Sequence, residues 1–292
     1  TPVVEEPVVE EPVVVAPVVT ELAVSALTAN TTMKTTDDLE GGAGAADELV
    51  LSLSANFAGF VVSADAADTG SMTGFETISL AADTLARTFD ATGVSGVETY
   101  KIDGANGGVV SIADAADLTA VELSNIASGA FSITYAAPTG GTSPVAGTAD
   151  TLELAVEGLG SATADVTVTA AGVETLAITS NAAATAAGAT NYMDVSGVSS
   201  ATDITVTGAA DTDIAAVPAT FDTLNASTAT GAITANLSGA GGATSAGDIE
   251  VIKTGSGDDS VTAVTTDLDT AVTIDLGTGA DKLVISSAAA DV

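Results

Sequence analysis

Phe75-Glu76-Thr77-Ile78 returns as Val97-Glu98-Thr99-Tyr100 and again as Val173-Glu174-Thr175-Leu176. Looser copies are Val121-Glu122-Leu123, Phe221-Asp222-Thr223-Leu224 and Ile249-Glu250-Val251. The acids fall at 76, 98, 122, 174, 222 and 250, with gaps of 22, 24, 52, 48 and 28, the long gaps being near twice the short ones. A second marker agrees, since Asp65-Ala66-Ala67-Asp68 reappears as Asp114-Ala115-Ala116-Asp117. A unit of about 24 residues cannot bury its own apolar face, whereas stacked units can.

Between these markers the chain reads as short runs that alternate Val, Ile or Leu with Thr or Ser. Glu48-Leu49-Val50-Leu51-Ser52-Leu53, Asp165-Val166-Thr167-Val168-Thr169 and Asp203-Ile204-Thr205-Val206-Thr207 are examples. That alternation is the strand period, and Gly, Asp, Asn and Ala break the runs. The Ala-rich stretch 181–190 has no wide apolar stripe, so it reads as a small-residue corner. The expected fold is all-β: a parallel β-helix, or β-solenoid, with rungs of roughly 22–25 residues. A leucine-rich-repeat horseshoe lacks its Leu-x-x-Leu-x-Leu unit, and an array of β-sandwiches stays open as an alternative. Three regions are expected: an extended Pro/Val/Glu arm at 1–29, an Ala/Thr/Val-rich solenoid at 30–250, and a Gly/Asp-rich segment at 251–292.

In the arm, Pro2, Pro7, Pro12 and Pro17 recur at every fifth position. Proline forbids helix and central strand, which leaves an extended spacer. Its Val pairs could also add as a strand to the edge of a neighbouring subunit, building a filament.

Composition limits the chemistry. The 292 residues hold 39 Asp and Glu against 5 Lys and Arg, a formal charge of -34, with no His and no Cys. Triads built on His or Cys are therefore impossible, as are disulfides and Cys/His zinc sites. So negative a chain repels phosphate backbones, so no nucleic-acid partner is expected. No uninterrupted apolar run is long enough to cross a bilayer, so no membrane span is expected, and no basic start marks a signal peptide. Aromatic residues make up only 3%, too few for the platforms of a sugar cleft, and no enzyme activity is expected. With so few bases, most carboxylates need cations, and an oxygen-only donor set suits a hard ion such as Ca²⁺.

The last forty residues carry the sharpest motif. Thr254-Gly255-Ser256-Gly257-Asp258-Asp259-Ser260-Val261-Thr262 and Leu276-Gly277-Thr278-Gly279-Ala280-Asp281-Lys282-Leu283-Val284 both match G-G-x-G-x-D-x-U-x except at the first glycine. This resembles the RTX calcium-binding nonapeptide repeat. The resemblance implies Ca²⁺ as the bound ion. It makes Gly255, Gly257, Asp258 and Asp259 one half-site, and Gly277, Gly279 and Asp281 another. Tandem repeats of that family place these acids nine or eighteen apart. Asp259 and Asp281 are 22 apart, which suits one loop per turn of a wider helix. Degenerate copies put Gly42, Gly44 and Asp47, and also Asp150, among the expected calcium residues.

The whole chain is similar to RTX-type surface-layer proteins of Gram-negative bacteria. That similarity implies type I secretion, a place on the cell surface, and self-association into a homo-oligomeric lattice or filament. Cell-surface polysaccharide is a further candidate partner. The alternatives are a filament subunit polymerising through the arm, or the stalk of a larger RTX adhesin.

Overall fold

A computed structural model describes residues 33–44, 46–61, 69–136, 143–182, 189–240 and 249–287. The arm at 1–29 and the marker Asp65–Asp68 lie outside them. Two long parallel sheets run the length of the described chain, and successive turns add one strand to each. The first sheet stacks Glu48–Leu53, Thr77–Ala82, Thr99–Asp103, Ala120–Ser124, Thr151–Glu157, Thr175–Asn181, Asp203–Gly208, Thr223–Asn225, Ile249–Lys253 and Leu268–Asp275, in that order. The second stacks Arg87–Asp90, Val110–Ala115, Gly129–Tyr135, Val166–Ala170, Thr190–Gly197, Asp211–Ala216, Ile233–Asn236, Ser260–Val264 and Lys282–Ser286. Asp38–Glu40, Ser71–Thr73 and Val94–Ser95 form a short third sheet at the amino-terminal end. The protein is a parallel β-solenoid, as the repeat predicts. At about 4.8 Å per step, ten strands span about 43 Å.

The alternation in sequence becomes inside and outside. In Thr151–Glu157 the residues Leu152, Leu154 and Val156 are buried, while Glu153 and Ala155 face outward. Ile178 lies over Leu154 and under Val206, so like residues stack in columns through the core. Each such buried aliphatic side chain contributes about 1.5–3 kcal/mol. One turn alone would leave these columns wet, and the stack removes them from water.

Register partners give the length of a turn. Thr77 pairs with Thr99, Thr151 with Thr175, and Ser260 with Lys282, each one turn further along the chain. These spacings match the period of the repeated acids. Other turns are longer, as where Leu154 lies on Val121. Both sheets continue past residue 250: in the first, Ile249–Lys253 pairs with the turn before it and the turn after it, and in the second, Ser260–Val264 does the same.

The repeated acids occupy one corner, immediately before the first-sheet strands except for Glu250, the second residue of Ile249–Lys253. Register places Asp47, Glu76, Glu98 and Thr119 in one column, and Asp150, Glu174, Thr202, Asp222 and Glu250 in another. Five of the six repeat acids stand there. Glu122 does not. It lies within its strand opposite Lys101, with which it makes a 3.7 Å ion pair, and Thr119 takes the corner position in that turn. The two columns are offset by two positions, since Leu154 pairs with Val121.

Candidate metal centre

Two corners of the solenoid hold the expected calcium residues. Asp47 and Asp150 precede first-sheet strands, whereas Asp258, Asp259 and Asp281 precede second-sheet strands. The Gly-Asp motif therefore groups residues that the fold separates. It also conceals that Asp47 and Asp150 belong with Glu76 and Glu174.

At the second-sheet corner the two Gly loops stack directly. Thr278 donates its N–H to Gly255 O at 2.9 Å, and Thr254 Oγ1 donates to Leu276 O at 2.8 Å. A side chain on Gly277 would meet Gly255 O at 1.9 Å, and one on Gly279 would meet Gly257 O at 2.1 Å. Gly277 also has φ of 74°, the left-handed region. Gly277→Ala should therefore loosen the last turn, with about 1–2 kcal/mol from backbone conformation before any clash. Faster amide exchange across Lys282–Ser286 in that variant is the check; unchanged protection would refute the packing argument.

The acids of these loops serve the backbone. Asp281 Oδ1 accepts the Asp259 N–H at 3.1 Å, Asp258 Oδ1 accepts the Ala280 N–H at 2.8 Å, and Asp259 Oδ1 accepts the Ile233 N–H at 2.7 Å. The step from Asp259 to Asp281 is thus one register step, and the carboxylates tie each turn to the next. Asp258 is exposed and Asp281 half-buried, but Asp259 is only 1% exposed. Its second oxygen, Oδ2, is buried and has no hydrogen-bond partner.

The first-sheet corner uses the same device. Asp47 O accepts the N–H groups of both Glu76 and Thr77, at 3.1 and 3.2 Å, and Asp150 O accepts those of Glu174 and Thr175, both at 3.0 Å. In return Glu76 Oε2 accepts the Asp47 N–H at 2.8 Å, and Glu174 Oε2 accepts the Asp150 N–H at 3.0 Å. The two copies differ in one respect. Asp150 Oδ2 accepts the Gly147 N–H at 2.9 Å, whereas both oxygens of Asp47 are buried without a donor.

The chain matches no family model, no curated protein and no solved structure. A buried carboxylate oxygen with no donor costs more than an unmet neutral group, and a cation or a proton relieves it. Only two ion pairs occur among the described residues, Arg87 with Asp83 at 2.6 Å and Lys101 with Glu122 at 3.7 Å, and neither involves these acids. Arg87, through hydrogen bonds first, lowers the Asp83 pKa. Crowding acts the other way elsewhere: burial, then the Asp165 charge, raises the Asp213 pKa.

Among the described residues no three acidic side chains converge on one point. An ion at Asp259 or Asp47 would need backbone carbonyls and water to complete its shell, which suits the adaptable oxygen shell of Ca²⁺. The donor set fits that ion. Elsewhere, a shallow depression of about 470 Å³ on the outer face of the first sheet is lined by Glu122, Glu153, Thr179, Thr205 and Thr207 among others, with no aromatic ring.

Proposed function

We propose that this chain is a structural extracellular protein, not an enzyme, whose solenoid is stabilised by Ca²⁺ and self-assembles into a surface layer or related cell-surface array. The observation that supports it most is the buried Oδ2 of Asp259, without a donor inside a stacked Gly turn of RTX-like sequence. In this reading Asp47 and Asp259 take the ions, while Asp150, Asp258 and Asp281 chiefly bind backbone amides. The charge of -34 keeps subunits apart until cations neutralise it, so metal binding couples to folding and to association. The resemblance to RTX-type surface-layer proteins supplies the place, a Gram-negative cell surface reached by type I secretion. It also supplies the partners: other copies of the chain and, at the surface, polysaccharide.

Far-UV circular dichroism in chelator and then in calcium, with electron microscopy of both samples, tests the reading. Calcium should sharpen the β signal and produce ordered arrays. β structure and assembly that both ignore calcium would overturn it.

A further inference from the structure

We propose that Asp47 and Glu76 together bind one calcium ion that bridges two adjacent turns at the amino-terminal end of the first sheet. This rests on the reading that the chain uses calcium, and it adds a ligand from outside the Gly loops.

Asp47 is 2% exposed, and neither carboxylate oxygen has a donor. The backbone closes tightly on it: a Cβ on Gly44 would stand 2.7 Å from each oxygen, so only glycine leaves that approach open. The carboxylate of Glu76 is held beside it, with Oε2 2.8 Å from the Asp47 amide nitrogen. The Glu76 carboxylate is thus anchored to the same residue that carries the unpartnered Asp47 carboxylate. Neither makes an ion pair with a basic side chain among the described residues.

Two carboxylates held at one residue, one of them buried, repel each other in a medium of low dielectric. A divalent cation would turn that repulsion into attraction. The oxygen-only donors select a hard ion, and the anchored Glu76 gives it a ligand from the next turn. Asp150 and Glu174 show the same arrangement in a satisfied form, because the Gly147 N–H already occupies Asp150 Oδ2. The contrast singles out the Asp47 corner.

The test is calorimetric titration of the full chain with CaCl₂, in the Asp259→Asn background so that the second-sheet loop does not contribute. Glu76→Gln keeps an oxygen for the Asp47 N–H and removes only the charge. It should weaken calcium binding about tenfold or more, with the circular dichroism spectrum unchanged. Glu174→Gln, the same change beside the satisfied Asp150, should leave that affinity intact.

Equal affinity in Glu76→Gln and its parent would overturn the proposal. So would a Glu76→Gln variant whose only change is a shifted acid unfolding midpoint, since the pair would then share a proton. A wild-type chain that binds no calcium at all would instead sink the underlying functional reading. That result differs from a chain that binds calcium but is indifferent to Glu76.

Discussion

Asp259→Asn should stabilise the calcium-free protein and destabilise the calcium-loaded one. The carboxylate has two jobs. Oδ1 accepts the Ile233 N–H at 2.7 Å, and an asparagine oxygen can do the same. Oδ2 is buried without a partner, and there asparagine exchanges a charge that no basic side chain among the described residues pairs for an uncharged NH2. Relief of that burial is of order 1–3 kcal/mol in chelator. With calcium the sign reverses, because a site saturated at one hundred times its Kd contributes about 2.7 kcal/mol that the variant forgoes. Paired denaturant melts of both proteins, each in chelator and in calcium, measure the two terms. Equal destabilisation in both buffers would assign Asp259 to the backbone alone.

Phe89→Ala should have the largest effect without any metal. Phe89 is fully buried, stacks on Phe57 with ring centroids 5.3 Å apart and meets Tyr100 at 6.4 Å. Such truncations cost about 3–5 kcal/mol. In a solenoid each turn touches only its neighbours, so the damage should stay near the amino-terminal turns. Hydrogen exchange should show protection lost across Val110–Ala115 and Thr99–Asp103 and retained across Ser260–Val264. Uniform loss along the chain would show that the stack unfolds as one unit.

The repeat is readable because the corner position is acidic in most turns, with Thr119 and Thr202 the exceptions. Glu76 and Glu174 there reach the amide of the preceding turn, and the residue two places later is apolar and buried. Asp47-Glu48-Leu49, Glu76-Thr77-Ile78, Asp150-Thr151-Leu152 and Asp222-Thr223-Leu224 all keep that buried apolar residue. The glycines before Asp47 and Asp150 draw them towards the Gly-loop motif, although the acid-x-apolar pattern places them with the repeat. Glu122 misleads because Val-Glu-Leu imitates the motif. Aligning the buried pair Tyr100 and Ile102 with Val121 and Leu123 puts Thr119, not Glu122, opposite Glu98.

The second sheet has no comparable signature. Arg87–Asp90 and Gly129–Tyr135 share little beyond alternation, and turns of unequal length hide their period. In the C-terminal loops, the motif locates the glycines and acids correctly. It cannot show that most of those carboxylates are engaged by backbone amides, because that depends on which turn lies next to them.

The offset between the corner columns has a mechanical meaning. Thr151–Glu157 is paired along its whole length with the following turn, yet with the preceding one only Leu154–Glu157 pairs, against Val121–Ser124. A stack held by nearest-neighbour bonds behaves as a chain of springs in series, and tension concentrates at the softest. This offset is a dislocation in that chain. It divides the acid column into two blocks, whereas the softest steps are those where both sheets pair by only three residues, on either side of Thr223–Asn225 and of Ile233–Asn236, where a pull along the axis would part the rod first.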